Sequence, residues 1–235
     1  MLFKKKNKFS KKQNTKKYIS GELALCIAVI FCSFGVDLMI KSGFGVSSIS
    51  SVPYVFSRVF KTLTFGTWNY IFQTCLVAIL MLLKKKFTPG YIVSFGIGII
   101  FGKSLDMFNV ILANIPLNIY FRIFYFVISF LFIAVGITFA NNCGLPITPT
   151  DIFPRDLSEI LKIPYKTIKT KFDLMCLTLT VVLSLISFHK VIGIGVGTVI
   201  CALTTGKAVA IINNFVCKRY YFEVKYFNIK KTVKK

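Results

Sequence analysis

Acid is what this 235-residue chain has least of: 8 Asp and Glu stand against 30 Lys and Arg, with a single histidine. Charge of either sign is scarce, at 16% of residues against 55% hydrophobic, which leaves too little polar surface to cover a soluble domain of this length. Seven cysteines are present, yet they form no CxxC and no Cys/His ligand spacing, and His189 has no such partner nearby. That argues against a metal site and a disulfide framework. HExxH, GxSxG and P-loop patterns are missing too, and the glycine-rich GIGVG lacks the preceding strand that a dinucleotide site requires. The reading is of a protein that is not an enzyme and carries no cofactor.

What the chain does have is long apolar runs. Crossing a bilayer core of roughly 30 Å takes about 20 helical residues. Runs of that length lie at about 21 to 40, 66 to 83, 90 to 111, 119 to 140, 168 to 188 and 191 to 216. They are continuous, as in IFQTCLVAILMLL, where barrel strands would be shorter and would alternate in polarity. The expected fold is an all-α polytopic membrane protein of about six transmembrane helices. The first run is too long for a secretory leader and has no small-x-small cleavage site after it, so it reads as an uncleaved anchor.

The first 17 residues hold eight lysines, LKKKF joins the second and third runs, and the segment from Cys217 holds Lys218, Arg219, Lys225, Lys230, Lys231, Lys234 and Lys235. Six spans put all three clusters on one side, which the positive-inside rule makes cytoplasmic. The net charge of +22 then reads as an orientation signal with affinity for anionic lipid headgroups. Nucleic acid is not an expected partner, because the low-complexity tail belongs to no binding module. No feature identifies a protein partner.

The chain also repeats itself. Gly35 and Gly43 recur as Gly136 and Gly144, Val52-Pro53 as Phe153-Pro154, and Ser57 as Ser158, all 101 residues on. After small slips Phe65-x-Thr67 matches Tyr165-x-Thr167, Gln73 falls on Asp173, and Ser94-x3-Gly98-x3-Gly102-Lys103 matches Thr198-x3-Ala202-x3-Gly206-Lys207. The expected organisation is a basic tail (1–20), a three-span repeat (21–111), a second such repeat (122–216) and a basic tail (217–235). A three-span unit leaves its copy starting from the opposite face, so the repeats should be inverted, a plan common among secondary transporters.

In each copy a span ends in glycine, turns through small residues and meets a short amphipathic stretch, SSVPYVFSRVF or PTDIFPRDLSEIL. These read either as interfacial loops with surface helices or as half-helices that re-enter the membrane and point N–H groups at a central site. The candidate solute-site residues are Ser48, Thr150, Asp151, Asp173, Lys103 and Lys207. The equivalence of the two lysines points to an anionic solute, with Asp173 or Asp151 as the partner Lys207 needs. Gly43, Gly144, Gly197 and Gly206 are the structural glycines. Asp37 with Lys41, and Lys103 with Asp106, have spacings that permit helical ion pairs near an interface. The Ala24-x3-Ala28 and Gly98-x3-Gly102 rows permit close helix approach.

The small-residue turn with its proline-aspartate helix start, and GxGTxxxAxxxG in the last run, resemble the YczE/YyaS/YitT group of bacterial integral membrane proteins over roughly residues 20 to 216. Pro149, Thr150 and Asp151 stand where that group more usually has proline-tryptophan-aspartate, and the C-terminal soluble domain of some members has no counterpart. The resemblance implies a bacterial plasma-membrane location and a duplicated architecture, and it supplies no substrate. The functional expectation is a permease for a small solute. Alternatives are an accessory membrane protein that binds a partner, and the substrate-binding subunit of an energy-coupling-factor importer, which would dock through the Ala24-x3-Ala28 row.

Overall fold

The computed structural model describes residues 17–84 and 89–224; the tail lysines up to Lys16, Lys85 and Lys86 of the LKKKF connection, and Lys225 onward lie outside them. The elements are β1 (Lys17–Ser20), α1 (Gly21–Ser42), α2 (Ser48–Val59), α3 (Phe65–Lys84), α4 (Pro89–Ile111), α5 (Ile119–Asn142), α6 (Pro149–Leu161), α7 (Tyr165–Phe188), α8 (Val196–Arg219) and β2 (Tyr220–Glu223). Six of the helices are long and apolar enough to cross a bilayer, so the chain is an all-α polytopic membrane protein. The last span starts at Val196 rather than near 191. His189 ends α7 in the left-handed conformation, Gly193 has φ +82°, and the intervening residues form a connection. β1 and β2 pair in parallel, Lys17 with Tyr220 through Ser20 with Glu223, which brings the start of α1 and the end of α8 to one end of the bundle, here called the tail end.

α1 and α5 form the central pair. α1 begins where Ser20 Oγ accepts the Leu23 N–H at 3.2 Å and stops at Gly43 (φ +73°), whose N–H reaches the Ile40 carbonyl. The two helices cross at glycines. A Cβ on Gly35 would lie 2.8 Å from Ile133 Cγ1 and 3.1 Å from the Ser129 carbonyl, while one on Gly136 would press on Cys32 Sγ and lie 3.2 Å from the Ala28 carbonyl. Gly35/Gly136, Cys32/Ile133 and Ala28/Ser129 are each 101 residues apart. Each helix therefore meets the other with the same positions, the reciprocity of a two-fold interface. Small residues at the crossing let the backbones approach where lipid supplies no hydrophobic drive to associate.

The short helices exchange between the halves. α2 packs on α7 as well as α3, and α6 packs on α3 as well as α7. Ser51 Oγ, in the first turn of α2, is 2.8 Å from Thr180 Oγ1 midway along α7, whereas Phe56 and Phe60 at its other end lie against Trp68 near the start of α3. α6 runs the opposite way. Pro149 sits beside Gly98 in the middle of α4, and Asp156 meets Lys84 at the tail end of α3. Both helices thus start beside the middles of long helices and run outward to opposite ends of the bundle, the arrangement that the half-helix reading expects. Val52, Ile152 and Phe153 share one buried cluster with Leu76, Val77 and Cys176 from the centres of α3 and α7.

Several side-chain pairings differ from expectation. Asp37 is fully buried beside Asn109 of α4 and makes no ion pair with Lys41. Asp106 leaves Lys103 and caps α3 instead, accepting Thr64 Oγ1–H at 2.7 Å and the Gly66 N–H at 2.9 Å. A helix start with unpaired N–H groups attracts a carboxylate that helical spacing alone would assign to the nearest lysine. Asp156 is held by Lys84 Nζ at 2.7 Å, by the Tyr91 hydroxyl and by Arg155 Nε at 3.3 Å. Burial pushes its carboxyl up, and donation from Lys84 and Tyr91 outweighs that, leaving it below the usual carboxylate range.

Candidate functional site

The half-helix starts meet at a cavity of about 810 Å³ lined by all six spans. Ser47 and Ser48 enter it from α2, and Thr148, Thr150 and Asp151 from α6. Ser47 caps α2, its Oγ accepting the Ser50 N–H at 3.4 Å. Thr148 Oγ1 donates to Asp151 Oδ2 at 2.6 Å, tying the α6 start together. Irregular backbone inside a helical bundle is tolerated where, as here, it borders a cavity with polar groups within reach. Two helix N-termini aimed at one space from opposite ends place partial positive charge at its waist.

On the walls, α3 contributes Asn69 and Gln73, and α7 contributes Lys169 and Asp173. Gln73 Nε2 donates to Asn69 Oδ1, and Lys169 Nζ is 3.0 Å from Asp173 Oδ1. Positions 69 and 73 correspond to 169 and 173 through the offset of 100 that joins Phe65 to Tyr165. The same two wall positions therefore hold an amide pair in one half and an ion pair in the other. Arg155, one turn beyond Asp151 on α6 and about half exposed, also reaches the lining, and its Nε engages Asp156.

At the distal end the cavity is sealed by backbone. The Val46 N–H donates to the Gly193 carbonyl at 2.9 Å, and the Gly197 N–H to the Phe44 carbonyl at 2.8 Å. A Cβ on Gly195 or Gly197 would collide with that Phe44 carbonyl. Arg122 closes the neighbouring corner, donating from Nε to the Ser42 carbonyl at 2.7 Å. Along its length α8 makes extended contact with α5 but not with α7, whereas its counterpart α4 packs on α1, α3 and α6. Ala202 and Gly206, in the half of α8 nearer the distal end, line the cavity and are exposed.

Of the six residues expected at the site, Ser48, Thr150, Asp151 and Asp173 line the cavity; Lys103 and Lys207 are exposed and lie outside it. Asp173 and Asp151 are engaged by Lys169 and Thr148, so neither partners Lys207. Gly43 and Gly144 have φ +73° and +70°, and Gly197 sits in the distal seal. A Cβ on Gly206 would meet nothing within 4 Å, so close packing does not explain that glycine. Sequence reasoning missed Asn69, Lys169 and Arg155. The offset matching Gln73 to Asp173 also pairs Asn69 with Lys169, and Arg155 lies four residues from Asp151 on one helix face.

No curated protein and no solved structure matches the chain. The model of a family of unknown function, DUF6198, matches residues 19–214, and the chain belongs to that family.

Proposed function

We propose that this protein is a permease for a small solute, built from two inverted repeats, each of three spans and a half-helix, in a bacterial plasma membrane with both termini cytoplasmic. The observation that carries this reading is the convergence of two oppositely directed half-helix starts on one central cavity. Discontinuous helices that present N-termini to a mid-membrane site are how many transporters hold a solute's polar groups. The basic segments support the orientation, and GxGTxxxAxxxG and the proline-aspartate helix start support kinship with the YczE/YyaS/YitT group.

The importer-subunit reading loses its basis, since Ala24 and Ala28 are buried within the chain and their row is not available to a partner. An accessory role is favoured by one observation, the long apolar faces of α8, which packs extensively on no helix but α5.

The test is a thermal-shift screen of the purified protein in mild detergent against small metabolites, followed by counterflow in proteoliposomes with any hit. A ligand at a hundred times its dissociation constant adds about 2.7 kcal/mol of stability. The expected result is a hit abolished by Ser48→Trp, which fills the waist. A folded protein with neither a hit nor counterflow overturns the permease reading in favour of the accessory one.

A further inference from the structure

Among the described residues, the charges that reach the cavity are two of each sign: Asp151 and Arg155 from α6, Lys169 and Asp173 from α7. All four come from the second half, so they occupy one region instead of ringing the space. The basic residues from which an anionic solute was expected, Lys103 and Lys207, are elsewhere. A solute with negative charge alone would meet Arg155 and Lys169 beside two carboxylates, and a cation alone would meet the reverse. Either case leaves like charges facing in a partly dry space, which disfavours binding.

From this charge balance we infer that the solute is a small zwitterion with an aliphatic flank, its acidic group toward Arg155 and Lys169 and its ammonium toward Asp173 and Asp151. Resting on the solute-cavity reading, this names the chemical class of what the cavity takes. Two features of the site favour the exchange. The Lys169–Asp173 pair is about three-tenths exposed on both sides and so contributes little by itself. Its separation of 3.0 Å offers adjacent charges of opposite sign that a zwitterion can bridge. Among the described residues Arg155 engages Asp156 through Nε, and its terminal nitrogens make no hydrogen bond or ion pair there, so they can meet a carboxylate. Val29, Ile133 and Ile137 supply aliphatic wall to the same cavity.

A matched series separates the possibilities: leucine, its deaminated acid 4-methylpentanoate, its decarboxylated amine 3-methylbutylamine, and the uncharged 4-methylpentanamide, each titrated calorimetrically against the full chain in lipid nanodiscs. Leucine is expected to bind, with each singly charged or uncharged analogue weaker by about tenfold or more. Arg155→Gln should weaken leucine by about tenfold while leaving 3-methylbutylamine unmoved, a split that a merely structural role for Arg155 would not produce. Acid or amine binding as tightly as leucine overturns the zwitterion and leaves the solute cavity standing. Silence from all four, with a hit still present in the metabolite screen, does the same. Silence in both removes the cavity reading as well.

Discussion

Asn69 and Gln73 on α3, and Lys169 and Asp173 on α7, hold equivalent places in the two halves, and what separates them is water. The amide pair is 3% and 1% exposed; the ion pair is 29% and 28% exposed. A neutral hydrogen bond tolerates burial, whereas charges taken out of water lose more solvation than a single contact returns. The same exchange of chemistry at matched positions recurs. Ser51 bonds Thr180 where the other half has buried Ile152 and Leu80, and buried Val55 stands where the other half has Asp156 bound to Lys84. Packing follows suit: 39% of the α4 apolar window is buried and only 11% of that of α8. One helical frame has been filled twice, once as a closed wall and once as an open, charged one.

Transplanting the charged pair tests whether burial is the cause. Asn69→Lys with Gln73→Asp should destabilise the protein by several kcal/mol, about 4, because both charges enter a dry site. Loss of the two-state unfolding transition in mild detergent at room temperature is the readout; a near-neutral result means water reaches α3 too. Next in size, Asp156→Val, which copies Val55, should cost about 3 kcal/mol by stranding Lys84, and adding Lys84→Leu should restore most of it. If the double variant stays as unstable as the single one, the ion pair is not what anchors α6.

The glycine crossing probes where the halves agree. Gly35→Val and Gly136→Val should each cost about 2 kcal/mol through overpacking, and the two losses should be similar because their surroundings correspond. A large gap between their melting temperatures would break the two-fold relation at the α1–α5 contact. The smallest effect is expected for the reverse transplant. Lys169→Asn with Asp173→Gln should change stability by no more than about 0.5 kcal/mol, as for other exposed pairs. That variant should still lose affinity for a charged solute, separating the binding role of the pair from any structural one.

Much of this was legible in the chain. Continuous apolar runs located six spans, because apolar length is a local signal, and the 101-residue echo paired positions that meet alike at the α1–α5 crossing. The half-helices were legible as amphipathic segments, but their depth was not. Ser51 reaching Thr180, or Pro149 resting beside Gly98, depends on helices more than 50 residues away in sequence. Ion pairs were the weakest inference. Spacing allowed Asp106 to join Lys103, but the open start of α3 claimed it, and Lys207 drew attention as a lysine inside an apolar run, where sequence does not reveal that its side chain is exposed.

By itself the sequence determined class and span number, since apolar length against bilayer thickness needs no knowledge of neighbours. Tertiary structure alone decided which polar groups share a cavity, which end of it is sealed, and which of the described charges line it. Those outcomes depend on the rotation and exposure of each helix, which packing between distant segments sets.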